Sequence, residues 1–393
     1  MPEYIAGNRL TLLRSGEEYF PELVRTIDAA VREVFVETYL FADDQAGSLV
    51  ADSLARAAAR GVRVCLLLDG FGARNFAPRL RERLEQAGAG VLVFRPDISP
   101  WRLRRNRLRR MHRKLACADG AIAFVGGINV IDDFHTPGHR PPRYDYAVKI
   151  EGPLSATVRA EAAKLWSRVA WASLGRRWPG MEAWTGWPRP EPFAVPVACA
   201  ENQHAALVVR DNVQHRRDIE QAYHEGIESA REEIVIACAY FFPGRRFRQA
   251  LARAVARGVR VRLLLQGKVE YVLLHYASRA LYGSLLAAGI EIHEYHRGFM
   301  HAKVAVFDRT CACVGSSNID PFSLLLAREA NVFAQDASFA AKLRASLEEA
   351  IAGSPAMLPQ QWKAQPIALR ARSWIAYGLA RLLVVFFGPD RAY

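Results

Sequence analysis

An internal repeat limits the possible folds of this chain more than any other feature of its sequence. Residues 252–264 closely match residues 55–67, and residues 300–308 match residues 111–119. Because each copy of a repeated unit is expected to fold in the same way, a duplication has to be identified before a fold is assigned. The repeat therefore predicts two similar halves that face each other.

Each half alternates apolar runs with amphipathic segments. In the first half, a short strand and a helix are predicted within residues 9–30, followed by a buried strand at 34–41. A helix through residues 49–60 should end at Gly61, a typical helix-terminating residue, before a strand at 62–70. This alternation of strands and helices is typical of an α/β fold.

The predicted domain organisation has four parts. Residues 1–175 form the first half and residues 201–366 form the second. Residues 176–200 are rich in Pro and Trp and show no helical period, so they are predicted to form a stiff linker. Residues 367–393 form an apolar and basic tail.

The repeated segments 111–119 and 300–308 share a polar pattern. Both contain His, one residue, Lys, four residues and Asp, and both run into a turn with Gly and Asn. Side chains alternate along a strand, so each His shares a face with its Lys. Two roles stay open for the Asp: closing a hairpin, which is favoured, or catalysis. The candidate residues are His112, Lys114, Asp119, Asn129, His301, Lys303, Asp308 and Asn318.

The chain carries an excess of positive charge. It has 53 Lys and Arg against 40 Asp and Glu, and the formal net charge of +13 favours nucleic acid or an anionic membrane as partner. The six Cys form no Cys-x-x-Cys pair and are predicted to be free thiols of a reducing compartment. We expect no signal peptide, and no apolar stretch reaches the ~20 residues that span a bilayer.

The charge is most concentrated in residues 101–114, where eight of 14 residues are basic. This density indicates a surface for anionic lipid or nucleic acid rather than a merely soluble loop. The candidate binding residues are Arg102, Arg104, Arg105, Arg107, Arg109 and Arg110.

The tail contains a helical pattern that is too short between its arginines to cross a bilayer. Trp374 and Tyr377 lie beside Arg370, Arg372 and Arg381. Aromatic and cationic residues in this arrangement suit a helix lying in the headgroup region of a membrane. A helix packed on the protein core is the alternative.

Paired His, Lys and Asn residues suit chemistry on a phosphodiester. Two Lys and two Asn can neutralise and hydrogen-bond its non-bridging oxygens. One neutral His can attack phosphorus, and a second, protonated His can give a proton to the leaving oxygen. This chemistry requires no metal or other cofactor, and the sequence shows no carboxylate cluster with the spacing of a Mg or Zn site.

The doubled motif with its downstream Gly and Asn resembles the phospholipase D superfamily across nearly the whole chain. Segments 37–44, 126–129, 150–153, 239–244 and 316–321 resemble bacterial cardiolipin synthases without N-terminal membrane spans. The resemblance implies two α-β-α halves related by a pseudo-twofold axis with the active site between them. It further implies His112 as nucleophile and His301 as acid and base, with Asp145 orienting the first His and Glu329 the second.

Four functions stay open at this point. The first is a phosphatidyltransferase that makes cardiolipin from phosphatidylglycerol through a phosphohistidine, with phosphatidylethanolamine left open as a further donor. The others are a phospholipase D-type hydrolase, a nuclease of the same superfamily and an inactive binding module. The intact motifs weigh against the inactive module, and the apolar tail weighs against the nuclease, so nucleic acid is disfavoured as a partner. The sequence does not distinguish an alcohol from water as acceptor, and the transferase is the function we expect. The expected location is the cytoplasmic face of the inner membrane, held peripherally, and the oligomeric state stays open.

Overall fold

The computed structural model describes residues 2–96, 109–136, 141–174, 196–269 and 271–387. Two sets of strands and helices follow one another along this part of the chain. In the first set the strands are β1 Ile5–Arg14, β2 Glu33–Thr38, β3 Arg63–Asp69, β4 Gly90–Phe94, β5 Lys114–Ala118, β6 Ile122–Gly126, β7 Arg143–Tyr144 and β8 Tyr146–Glu151. The helices are α1 Ser15–Ala29, α2 Gln45–Ala59, α3 Pro78–Gln86 and α4 Pro153–Leu174.

The second set repeats the first and adds helices at its end. Its strands are β9 Gln203–Arg210, β10 Glu233–Cys238, β11 Arg260–Gln266, β12 Glu291–Tyr295, β13 Phe299–Met300, β14 Lys303–Phe307, β15 Cys311–Gly315 and β16 Glu329–Gln335. Its helices are α5 Asp218–Ser229, α6 Arg245–Ala256, α7 Val272–Ala280, α8 Tyr282–Ala287, α9 Pro321–Leu325, α10 Ala337–Ala352, α11 Pro359–Lys363 and α12 Ile367–Phe387.

The strand order confirms the predicted duplication. Fourteen strands form one sheet, with β1 and β9 antiparallel at its centre. Outward from this pair the first half has the order β1-β8-β6-β5-β2-β3-β4, and the second half has the matching order β9-β16-β15-β14-β10-β11-β12. The two remaining strands, β7 of the first half and β13 of the second, pair with each other in parallel. This pair connects the two halves.

The strands of both halves share one apolar core. Val125 and Val148 of the first half pack in the same cluster as Val314 and Val332 of the second. Alternation along each strand sends the other side chains to the opposite face. In β2, for example, Phe35 belongs to the shared core, whereas its neighbours on either side pack with α1 and α2. The halves therefore face each other, as predicted.

The boundaries of the predicted elements differ in detail from those in the structure. Helix α2 ends where Gly61 was expected to end it, and Gly61 has a φ of +87° that favours glycine. The helix begins earlier than predicted because the Asp44 carboxylate caps it by accepting from the backbone N of Gly47 at 2.9 Å. Residues 176–195 of the predicted linker lie outside the described residues. The same holds for Arg102, Arg104, Arg105 and Arg107.

The C-terminal helix α12 has one packed face and one exposed face. Ser373, Ala376 and Ala380 are buried, and the half-buried Tyr377 ring lies 5.5 Å from that of Phe242. Tyr377 therefore packs partly on the protein, and its role in membrane binding stays a prediction. Across the described residues, no helix combines the length and the apolar character needed to cross a membrane.

The opposite face of α12 carries large apolar side chains. Trp374 is 57% exposed, Ile375 65% and Leu379 51%. The packed and exposed faces follow the helical period, since positions three and four residues apart share a side. One face of the tail helix therefore packs on the protein, and the position of its exposed face in a membrane stays a prediction.

Candidate active site

The two repeated motifs meet at one cavity of about 280 Å³. His112 and His301 line it from opposite halves, together with Asn129 and Asn318. Each His lies two residues before the Lys that begins the next strand, β5 or β14, so the pseudo-symmetry of the fold brings the two motifs together. The structure thus places four of the predicted residues around a single site.

The two lysines are buried beside the histidines. The Lys114 ammonium donates to the backbone O of His112 at 2.5 Å, and the Lys303 ammonium donates to the backbone O of His301. Burial and the positive charge of Lys303 together lower the pKa of Lys114 to about 7, although the negative charge of Glu329 opposes this shift. An anion bound in the cavity would restore the charge of Lys114.

Each histidine is held by a carboxylate from the other half of the chain. The Nδ1 atom of His112 lies 2.9 Å from Oε1 of Glu329. The Nδ1 atom of His301 lies 2.6 Å from Oδ2 of Asp145. The pairing predicted from sequence, Asp145 with His112 and Glu329 with His301, is therefore wrong.

Backbone pairing between the halves explains this exchange. Met111 forms a parallel bridge with Arg328, and the backbone N of His112 donates to the backbone O of Arg328 at 2.9 Å. In the same way, the backbone N of His301 donates to the O of Tyr144 at 2.8 Å. Each motif thus pairs with the residue just before the carboxylate of the other half.

The two carboxylates have different surroundings. Oε2 of Glu329 accepts a hydrogen bond from the Ser316 hydroxyl at 2.5 Å. Oδ1 of Asp145 accepts from its neighbour's backbone N, Tyr146, at 2.8 Å. Gly127 occupies the position equivalent to Ser316, and a Cβ there would lie 2.3 Å from Oδ1 of Asp145. Only glycine leaves room for Asp145 in the first half.

Burial shifts the pKa values of the site residues in the direction that favours their neutral forms. It raises the pKa of Asp145 to about 6. It also lowers the pKa of His112, an effect that Glu329 opposes, and it lowers the pKa of His301 further below its usual range, with Lys303 and Lys114 adding to the effect. A neutral imidazole whose Nδ1–H faces a carboxylate has its lone pair on Nε2. Each Nε2 can therefore act as nucleophile or base.

The two asparagines are held by neighbouring groups. Oδ1 of Asn129 accepts from the backbone N of Leu40 at 3.1 Å, and Oδ1 of Asn318 lies 4.0 Å from the Cys238 sulfur. The side-chain amide nitrogen is the donor that each Asn can offer to an anion in the cavity.

The motif aspartates belong to turns and not to the site. Asp119 follows β5 at the end away from Lys114, roughly 16 Å along the strand. Its carboxylate accepts from the backbone N of residues 31, 32 and 33. Asp308 does the same for residues 231, 232 and 233. The hairpin role is confirmed, and the catalytic role that was left open for both residues is wrong.

Three further residues shape the site and were not predicted in that role. The Tyr39 ring lies 5.0 Å from the His112 ring, and Arg143 lines the cavity on the His301 side. Arg110, predicted as part of a surface patch, also lines the cavity, where Nε donates to the buried Asp69 at 2.9 Å. The only sequence signal for Arg110 and Arg143 was their position two residues before His112 and Asp145.

A fold of two like halves that brings two carboxylate-bound histidines to one cavity, each with a buried lysine beside it, defines an enzyme of the phospholipase D class. The family model described as cardiolipin synthase, PLD-like domain, matches residues 23–166 and 223–351. These matches cover more than half of the chain, and the chain belongs to this family. The resemblance noted in the repeated motifs is thereby confirmed.

Known proteins agree with this assignment. Cardiolipin synthase B of Escherichia coli K12 is 38% identical over 347 residues, which cover 88% of this chain and 81% of that protein. A probable cardiolipin synthase of Bacillus subtilis is 31% identical over 373 residues, covering 94% and 71% respectively. The crystal structure of phosphatidylserine synthase from Haemophilus influenzae has a TM-score of 0.72, 12% identity and coverage of 97% and 96%. This last likeness concerns the fold alone.

Proposed function

We propose that this chain makes cardiolipin by moving a phosphatidyl group between two phosphatidylglycerol molecules. The observation that carries the proposal is the pair of imidazoles, each with a carboxylate at Nδ1, on opposite sides of one cavity. Two such groups can perform the two proton transfers and the covalent step that a transfer requires. Membership of the cardiolipin synthase family supports phosphatidylglycerol as the substrate.

The first step forms a covalent intermediate. Nε2 of His112 attacks phosphorus, and a P–N bond forms while the bond from phosphorus to the headgroup oxygen breaks. His301, protonated at Nε2, gives its proton to that oxygen, so glycerol leaves. In the second step, a hydroxyl of another phosphatidylglycerol attacks phosphorus and loses its proton to His301. The P–N bond breaks, cardiolipin leaves and His112 is restored.

The charges of the site support this sequence of events. Lys114 and Lys303 lie beside the histidines, and with Asn129 and Asn318 they can bind the non-bridging oxygens of the phosphodiester. A bound anion raises the pKa of nearby imidazoles. Substrate binding therefore favours the protonated His301 that the first step needs.

A peripheral attachment to the cytoplasmic face of the inner membrane fits the exposed face of α12. Trp374, Ile375 and Leu379 are suited to insertion among lipid headgroups. Helix α12 packs on α7, and the start of α7 carries Leu274, which lines the active-site cavity. Insertion of α12 would thus hold the cavity close to the lipid surface. The basic segment 101–114 adds electrostatic attraction to anionic lipid.

The function is tested by incubating the purified chain with phosphatidylglycerol vesicles, with and without phosphatidylethanolamine, and in parallel with DNA. We expect cardiolipin and free glycerol in equal amounts. Phosphatidic acid as the sole lipid product would instead establish a hydrolase, and cleaved DNA a nuclease.

The order of the histidines is tested by trapping the intermediate. We expect His112→Ala and His301→Ala each to lower turnover at least a thousandfold while both variants keep the wild-type circular dichroism spectrum. His301→Ala should accumulate phosphorylated His112 when it is mixed with substrate, because the first step can still occur slowly. Phosphorylation of His301 in the His112→Ala variant would reverse the assignment.

A further inference from the structure

A buried amide next to the active-site cavity has no counterpart in the first half of the chain. Gln266 ends β11 and is 6% exposed. Within the described residues, neither its Nε2 nor its Oε1 atom has a hydrogen-bond partner. Burying an amide without hydrogen bonds costs free energy of folding, so a polar side chain at this position suggests that it binds a ligand or water.

The equivalent position in the first half shows what such a side chain can do. Asp69 ends β3 as Gln266 ends β11, and its carboxylate accepts from Arg110 Nε at 2.9 Å and from the backbone N of Met111 at 2.8 Å. Alignment of the two motifs places Phe299 where the first half has Arg110. The ring of Phe299 offers no hydrogen bond, so Gln266 has lost the partner that Asp69 keeps.

Gln266 lines a small cavity that adjoins the catalytic one. This cavity, of about 20 Å³, is lined by Gln266, His275 and Ser278 among others. Tyr240, Tyr271 and Leu274 line both it and the cavity that holds the two histidines. A volume of this size admits one water or one hydroxyl group.

We propose that Gln266 binds a hydroxyl of the polyol headgroup of the phospholipid substrate, on the side of the site where the alcohol leaves and enters. The bound hydroxyl is not the reacting one. An amide can both donate to and accept from a hydroxyl, so it recognises a polyol better than a simple alcohol or an ammonium group. This inference rests on the proposed phosphatidyl transfer, and it names Gln266 as a residue that selects the acceptor.

The test compares two acceptors that differ by one hydroxyl. The full chain is given phosphatidylglycerol vesicles and equal concentrations of propane-1,2-diol and propan-1-ol, and the two phosphatidyl alcohols are separated and counted. We expect wild type to favour the diol about tenfold or more, because a site built to bind a hydroxyl discriminates against a molecule that lacks it. Gln266→Met should bring the ratio close to one, and the shorter amide of Gln266→Asn should give an intermediate ratio.

Gln365→Met serves as the matched control. Gln365 also has a buried amide oxygen without a partner among the described residues, but it lines neither cavity. Gln365→Met should keep the wild-type ratio of the two phosphatidyl alcohols. Thermal unfolding should confirm that all variants are folded.

The outcomes separate this inference from the proposed function. A wild type that makes cardiolipin but shows no preference for the diol overturns only the role of Gln266, as does a Gln266→Met variant that loses both transfers equally. A wild type that releases only phosphatidic acid overturns both. If Gln266→Met does not fold, Gln266→Asn decides the matter, because a wild-type ratio in that variant overturns the role of Gln266.

Discussion

His112 and His301 have the same motif but different orienting groups. Glu329 has the longer side chain and a hydroxyl donor in Ser316, whereas Asp145 is shorter and fits only beside Gly127. The halves therefore have the same backbone but are not interchangeable at the level of side chains. This difference gives a physical basis for assigning different roles to the two histidines.

The carboxylate at His112 should matter far more for catalysis than the aspartate of the same motif. We expect Glu329→Gln to lower kcat about a hundredfold or more, because the amide no longer favours the tautomer with a free Nε2. Asp119→Asn should keep kcat within about threefold and cost about 1 kcal/mol of stability, because one acceptor for the backbone N of Val31 is lost. Steady-state kinetics and thermal unfolding measure both effects. A larger kcat loss in Asp119→Asn, at equal stability, would return that residue to the site.

Activity should depend on pH in a narrow range. Below a pH of about 6, protonation of Asp145, whose pKa is about 6, removes the acceptor for His301. Above about 7, Lys114, whose pKa is about 7, loses the charge that binds phosphate. We therefore expect kcat/KM, which reports the free enzyme, to be bell-shaped with its maximum between these values.

Replacing the lysine should move only one side of this profile. Lys114→Arg keeps its charge at high pH, so the fall of kcat/KM above pH 7 should shift upward, whereas the fall below pH 6 should stay. Lys342→Arg changes an exposed lysine in the same way and should leave the profile as it is. An unchanged high-pH side in Lys114→Arg would assign that titration to another group.

Among the elements, the two-residue strands β7 and β13 have the largest effect on the site for their length. Their parallel pairing ties Phe299 to Arg143 and Met300 to Tyr144. This contact places Asp145 beside His301, whereas an isolated bridge between Met111 and Arg328 does the same for Glu329 and His112. Sequence patterns do not reveal such short strands, because two residues show no alternation.

The exposed face of α12 should control membrane binding without affecting the fold. We expect the triple variant Trp374→Ser, Ile375→Ser and Leu379→Ser to lower binding to anionic vesicles at least tenfold, since burial of one such side chain is worth about 1.5–3 kcal/mol. Co-sedimentation at low and high salt measures the binding. The thermal midpoint should change little, because these side chains are exposed.

Val31 and Val213 provide the control for this element, because they are exposed apolar residues elsewhere on the protein. Val31→Ser with Val213→Ser should bind vesicles as wild type does. A triple α12 variant that stays folded and binds as well as wild type at every salt concentration would show that the membrane meets another face. Truncation at Arg370 is less informative, because it also removes the buried Ala376 and Ala380.

At the scale of the whole molecule, the duplication makes one active site and not two. Each half supplies a His-x-Lys motif and the carboxylate that the other half needs. Within the described residues, no group of three or more His, Cys, Asp or Glu side chains is arranged to hold a metal ion. In the proposed mechanism each half also contributes one positive charge, because Lys114 lies beside His112 and Lys303 beside His301.

We expect full activity in excess chelator after dialysis, because Lys114 and Lys303 provide positive charge at the reacting phosphate. Cardiolipin formation from phosphatidylglycerol vesicles is measured with and without chelator, and light scattering checks that the vesicles are unchanged. Activity that is lost and then restored by zinc or magnesium would mean that a metal ion takes part.

The local order of amino acids predicted much of this protein. The repeat, the α/β class, the four His and Lys residues and the hairpin at Asp119 all follow from patterns within short segments, since periodicity and turn chemistry act locally. The carboxylate partners of the histidines depended instead on contacts across 217 and 156 residues. Two like halves offer two equivalent pairings, and only their docking through β7, β13 and the Met111–Arg328 bridge selects the crossed one. The burial of the Gln266 amide was likewise decided only by the tertiary structure, because a side chain becomes buried when distant parts of the chain pack together.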